Sequence, residues 1–257
     1  MSQAFEIVTV DASNVQQSGF FCYKSKPKSP GYQRKLSWLH QRFAEGMRIK
    51  LACTNGRSIG FIEYIPGEYA WRVLDAAGYM VIHCLWVVGK GKGQGGGSQL
   101  LETCVEDARR AGLDGVAMVT SRGNWLAGAQ LLLKHGFEAV DAAPPAFQLL
   151  VRRFGRARPP TFPTNWDERL QRYGDGLTVF RSDQCPYLDN AVAVVQKAGQ
   201  AQGLSTTVVE LQSAQEVRDL APSAYGVFGI AYKGQLLSYH YLSEQDLSQR
   251  LVGTSSL

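Results

Sequence analysis

A glycine string, Lys92-Gly93-Gln94-Gly95-Gly96-Gly97, follows an apolar run at 79–88 and precedes 98–111, where Leu100, Leu101, Cys104, Val105 and Ala108 recur at helical spacing. Strand, glycine loop and helix in that order bring backbone N–H groups and the positive end of a helix dipole to one point, a seat for an anion such as a pyrophosphate. Within the apolar run His83 offers an imidazole able to take a proton near neutral pH. Its parity with Val81, Leu85 and Val87 predicts one shared side of the strand. Glu63, on the strand expected to lie alongside, is the second candidate base. Much later, Ser182-Asp183-Gln184-Cys185-Pro186-Tyr187-Leu188 sets a thiol between a predicted strand and helix, where the helix dipole favours the thiolate.

These residues need a scaffold, and the pattern supplies one. Residues 4–10 alternate as a strand, and 31–46 place Leu36, Leu39 and Phe43 at helical spacing before Gly46. The runs 47–53 and 58–65 alternate around Asn55-Gly56, a pair that favours a tight hairpin turn. The almost wholly apolar stretch 79–88 predicts a strand buried on both faces. After the glycine loop and its helix come a strand at 115–120, a helix at 125–135, and strands at 137–140 and 146–152 on either side of Pro144-Pro145. Residues 155–165 are rich in proline and predict an extended linker. Beyond it the pattern reads helix (166–173), strand (176–181), helix (186–201), strand (205–211), helix (213–220), hairpin (226–240) turning at Lys233-Gly234, and helix (243–251).

The loop lacks the Gly-Lys-Ser/Thr ending of a nucleoside-triphosphate site, and its strand does not open the chain as in a dinucleotide-binding fold. From Val87 to Leu101 the string instead resembles the GNAT motif V-x-P-x-x-R/Q-G-x-G-x-G/A-x-x-L-L, with Gly89 for the usual Pro and Lys92 for the usual Arg or Gln. Lys134-His135-Gly136-Phe137-Glu138 resembles the K-x-G-F-E segment of the same superfamily. The resemblance implies a GNAT fold, a mixed central sheet flanked by helices, over residues 1–155. It also implies an N-acyltransferase whose co-substrate is acetyl-CoA or another acyl-CoA and whose acceptor is the amine of a small molecule. Val88, Lys92, Gly93, Gln94, Gly95, Gly96, Gly97 and Ser98 would hold the coenzyme, and the Val87 backbone would polarise the thioester carbonyl. The family often protonates the departing thiolate with a Tyr; here that position is Leu132, and the usual helix-opening Asn falls one place off register at Asn124. Tyr64, Tyr69, Trp71 and Tyr79 are candidates to line the acceptor pocket.

After the linker at 156–165, residues 166–257 have the element order of a small thioredoxin-like α/β domain, and the Cys185 stretch resembles the glutaredoxin Cys-Pro-Tyr-Cys site with Leu188 replacing the resolving cysteine. That resemblance implies a cis-proline at Pro222 packed beside Cys185, and any redox role would need an external thiol. The chain as a whole resembles the YoaP-like group of bacterial acetyltransferases.

Net charge is +5, and the basic excess lies in residues 1–155. Positions 24–50 hold eight basic residues against Glu45 alone, which admits a tRNA partner and, with Leu132, an alternative in which the donor is an aminoacyl-tRNA. A third reading is a coenzyme A or thiol sensor acting through Cys185. The five cysteines lack metal-site spacing; Cys22, Cys53, Cys84 and Cys104 sit in apolar runs and are expected in the core. No apolar stretch is long enough to span a membrane, and the start of the chain lacks a signal-peptide core, so a cytoplasmic enzyme is expected.

Overall fold

The computed structural model describes residues 5–89, 92–122, 126–188 and 190–255. They form two compact units interleaved in sequence: one of residues 1–27, 36–70 and 74–162, the other of 28–35, 71–73 and 163–257.

The first unit is built on a seven-stranded sheet. Its strands are β1 (Glu6–Val10), β2 (Arg48–Thr54), β3 (Arg57–Pro66), β4 (Tyr79–Val87), β5 (Gly115–Ser121), β6 (Glu138–Ala143) and β7 (Phe147–Arg153), in the order β1-β2-β3-β4-β5-β7-β6. All neighbours run antiparallel except β4 and β5, so the sheet is mixed, as the resemblance implies. Asn55 and Gly56 turn the β2–β3 hairpin with φ of 49° and 70°, the left-handed values an Asn-Gly turn supplies at little cost. Two helices precede β2: a single turn, α1 (Val15–Ser18), that the periodicity gives no sign of, and α2 (Pro30–Ala44). Between β4 and β5 runs α3 (Gly96–Arg110), whose Leu100, Leu101, Cys104, Val105 and Ala108 are buried against Ile62, Tyr64, Ile82 and Met118 of the sheet. Burying such a stripe is what fixes a helix on a sheet, at about 25 cal/mol per Å² of apolar surface.

The helix expected over 125–135 is the shorter α4 (Ala129–Lys134), ending at Gly136 as expected. Leu132 within it is fully buried in the α3-face core. Asn124 lies outside the described residues. Cys104 and Cys53 are buried as expected, whereas Cys22 and Cys84 are only half-buried. Residues 155–162 are not detached from this unit: Asp75 and Thr161 form an antiparallel bridge, and the buried Phe162 donates its N–H to Asp141 Oδ2 at 2.8 Å.

The second unit follows the expected order: α5 (Trp166–Gln171), β8 (Leu177–Arg181), a 3-10 turn at Pro186–Leu188, α6 (Ala191–Ala201), β9 (Thr206–Glu210), α7 (Ala214–Leu220), the hairpin β10 (Phe228–Tyr232) and β11 (Gln235–Ser238), and α8 (Glu244–Ser255). Its sheet runs β11-β10-β8-β9, with β8 and β9 parallel and both other pairs antiparallel. No helix among the described residues is long and apolar enough to cross a membrane.

Candidate active site

His83 and Glu63 are brought together. His83 Nδ1 lies 3.3 Å from Glu63 Oε1, and both side chains are buried. The parity argument that placed His83 beside Leu85 and Val87 fails, for a reason visible in the register. Tyr64, Ile65 and Pro66 pair with Ile82, Val81 and Met80, but Glu63 and Ile62 pair with Cys84 and Leu85, so His83 is an extra residue in β4. This β-bulge shifts the side-chain alternation by one. Ile82, Leu85 and Val87 consequently point to the α3 core, while His83 turns to the opposite face with Glu63, its ring 6.4 Å from that of Trp38 on α2.

Aromatic side chains line this face, though not the expected ones. Phe61 pairs with Trp86 across β3 and β4, Phe21 stacks on Phe61 with ring centroids 4.9 Å apart, and Trp86 is 45% exposed. Phe21 and Tyr23 both hold left-handed backbone, with φ of 78° and 55°, a conformation side-chain-bearing residues seldom adopt. Among the aromatics expected to line an acceptor pocket, Tyr64 is buried on the α3 face. Burial pushes its hydroxyl well above the ordinary tyrosine range, an effect the hydrogen bond to Asp107 adds to. Tyr79 and Trp71 are buried and Tyr69 lies exposed.

The β4–β5 ladder stops at the pair Ile82–Met118, although β4 runs to Val87 and β5 to Ser121. On the other side of β4, Val88 N–H donates to Ile59 C=O at 2.8 Å. Antiparallel pairing alternates, so Val87, opposite Gly60, directs its N–H and C=O away from β3 and into the gap beside β5. A thioester carbonyl lying there would meet a backbone donor.

The glycine loop closes the same end of β4. Gly95 is the N-terminal cap of α3 with φ of 93°, a value that favours glycine, and no side chain caps the helix. Among the described residues the N–H groups from Gly93 to Ser98 carry no backbone acceptor, and the first turn of α3 has no acidic residue. Such a set of donors fits a pyrophosphate. Lys92 is exposed, with its ammonium 5.6 Å from the centre of the Trp86 ring. Ser98 Oγ lies 2.9 Å from His135 Nε2, His135 Nδ1 lies 2.8 Å from Glu102 Oε1, and Arg152 Nη1 donates to the same oxygen at 2.8 Å. Burial tends to raise the Glu102 carboxyl, but the hydrogen bonds from His135 and Arg152 outweigh it and hold the group below the usual carboxylate range. Periodicity gives no sign of this chain of contacts; its traces in the sequence are Ser98, at the end of the glycine string, and His135, inside the K-x-G-F-E segment.

In the second unit, Cys185 is half-buried beside a shallow hollow lined also by Arg34, Arg181, Asp183 and Leu188. Asp183 takes the guanidinium of Arg181 and, at 3.5 Å, that of Arg34. The cis bond expected at Pro222 is not there; among the described residues the cis peptide is Pro144-Pro145. Pro222 packs on β10 at Gly229, where a Cβ would come within 2.7 Å of the proline ring.

The basic run 24–50 is divided: Lys24, Lys26, Lys28 and Arg48 are exposed and Arg34 is half-buried. Lys35, Arg42 and Lys50 are buried; Arg42 pairs with Glu45 at 2.7 Å and Lys50 with Asp107 at 3.1 Å.

The mixed sheet thus opens between its central parallel pair beside the glycine loop, with His83 of β4 and Glu63 of β3 buried together on one face. Residues 15–137, just under half of the chain, match the model of the Acetyltransferase (GNAT) family. Over 242 residues the chain is 26% identical to YoaP of Bacillus subtilis (strain 168), described as an uncharacterized N-acetyltransferase, covering 92% of this chain and 94% of that one. Solved structures that it resembles include an aminoglycoside 6'-acetyltransferase type Ii (17% identity, 60% of this chain and 99% of that one, TM-score 0.44). Another is the PaiA N-acetyltransferase of Thermoplasma acidophilum in complex with coenzyme A (16% identity, 59% and 100%, TM-score 0.39).

Proposed function

We propose that the chain moves an acetyl group from acetyl-CoA to the amine of a small molecule. The observation that carries this reading is the shared position of three parts on β4: the His83–Glu63 pair at the bulge, the Val87 peptide facing the gap beside β5, and the glycine loop at the strand's end. When bound, the acyl-CoA supplies an activated thioester. His83, its ring held by Glu63, takes the proton released by the attacking amine, and the carboxylate steadies the imidazolium that results. Val87 N–H donates to the carbonyl oxygen as negative charge develops on it. Gly93 to Gly97, Ser98 and Lys92 hold the phosphates and thereby fix the thioester along β4. Val88, engaged with Ile59, anchors the start of the loop. With Leu132 in the tyrosine's place, the coenzyme leaves as a thiolate, a weak enough base to depart unprotonated.

The strand order and directions of the second unit support reading residues 166–257 as thioredoxin-like, with Cys185 just after β8 as a thiol site apart from acyl transfer.

The test is release of free coenzyme A from acetyl-CoA in the presence of a panel of small primary amines, together with thermal shift by acetyl-CoA at low and high salt. Turnover with one class of amine, and a shift that survives salt, are expected. Cys185→Ser should leave turnover intact. A shift seen only with bulk aminoacyl-tRNA, and lost in salt, would overturn the reading.

A further inference from the structure

We propose that Ser98, His135, Glu102 and Arg152 form a relay through which binding of the coenzyme's phosphates takes up a proton at His135. The inference rests on the coenzyme reading of the glycine loop and goes beyond it, because Glu102, His135 and Arg152 are not among the residues expected to hold the coenzyme.

Hydrogen-bond roles around the ring are fixed by what each partner can do. Glu102 is a carboxylate and only accepts, so His135 Nδ1 carries the hydrogen that bridges their 2.8 Å. In the neutral ring Nε2 is then an acceptor, and the Ser98 hydroxyl spends its only hydrogen on it across 2.9 Å. An ionised phosphate at the start of α3 is also acceptor-only. To donate to it, Ser98 must turn its hydrogen away from His135, which leaves a serine lone pair facing an imidazole lone pair. Protonation of Nε2 resolves the conflict. The proton comes from solvent, the new Nε2–H donates to Ser98 Oγ, and Ser98 O–H donates to the phosphate. Both ring nitrogens are then donors, Glu102 balances the imidazolium, and the phosphate gains a charge-assisted chain of donors.

The surroundings bear on the sign. Glu102 and Ser98 face the ring from α3, Arg152 reaches Glu102 from β7, and Lys134 precedes the histidine at the end of α4. Arg152 shares the carboxylate with His135, so Glu102 stays ionised and continues to accept when the ring gains its charge. The ring itself is held by backbone: His135 N–H donates to Leu132 C=O at 2.9 Å and Phe137 N–H to the same carbonyl at 3.1 Å.

The experiment is calorimetric titration of coenzyme A into the full chain at about pH 7.5, above the ordinary imidazole range, in Hepes and in Tris, buffers whose ionisation heats differ. For the unaltered chain the heats should differ between buffers by an amount corresponding to uptake of up to about one proton, and affinity should fall with rising pH by as much as about tenfold per unit. Ser98→Ala and His135→Gln should each remove the buffer difference and flatten the pH dependence, while the backbone donors still bind coenzyme more weakly. Equal heats in both buffers for the unaltered chain, or a difference that persists in both variants, would overturn the relay alone. Absence of any coenzyme heat would overturn the reading of the loop as well.

Discussion

His83 and Glu63 share one hydrogen bond inside a sheet, and the two roles they suggest are unequal. In the proposed reaction the histidine moves the proton, and the glutamate aims the ring and stabilises its charged form. His83→Ala should therefore lower kcat by about 10²- to 10⁴-fold, the usual worth of a positioned base, with little change in the KM for acetyl-CoA. Glu63→Gln, which preserves shape and removes charge, should cost less. Steady-state kinetics of both variants check this, and equal losses would mean that the carboxylate is itself the base. Both residues were legible as candidates from their chemistry alone. Their partnership and the face they share were not: the run YMVIHCLWVV is apolar on both sides of the strand, so no alternation existed for a bulge to break.

Elements that carry the site are tied together by a second polar group. Asp107 on α3 accepts from Tyr64 on β3 at 2.5 Å and from Lys50 on β2 at 3.1 Å, and Lys50 also donates to Thr9 on β1 at 3.0 Å. Burial raises the Asp107 carboxyl, but the hydrogen bonds from Tyr64 and Lys50 outweigh it and hold the group below the usual range. A carboxyl depressed on folding adds stability that is fully present above its ordinary value of about 4 and is lost as pH falls below it. Asp107→Asn should thus cost roughly 1 to 3 kcal/mol in denaturant unfolding at neutral pH, leaving two buried donors poorly matched. The gap between the two proteins should narrow as pH falls below the ordinary carboxylate range; a gap independent of pH would show that packing, not charge, is what the substitution removed. Strands, hairpin turn and helix stripe could all be read from periodicity and Asn-Gly chemistry. Charge counting could not single out Lys50 and Arg42 within 24–50, because they meet their acidic partners only once α2, β2 and α3 are in place.

Two sheets account for the molecule, one of seven strands and one of four, and each could be anticipated from element order. What order could not convey is that short segments at 28–35 and 71–73 cluster with residues 163–257, since a linear reading looks for one boundary. The seven-stranded sheet has an uncommon property. Ordinary sheets expose unpaired peptide groups only along their two outermost strands, and proteins guard those rims against strangers. Here a third rim opens in the interior, where β4 outruns its pairing with β5. Any molecule able to present amides in the spacing of an extended chain would complete the weave, and the pantetheine arm of a coenzyme carries two. Amide hydrogen exchange should report the mending: Leu85 and Val87 should exchange faster than their flanking residues in the free chain and slow by tenfold or more with coenzyme bound, while β1 and β6 remain unmoved. Equal protection with and without coenzyme would mean that the ligand lies elsewhere. The fold is in this sense a fabric with one missing thread, and turnover is the repeated laying in and withdrawal of that thread.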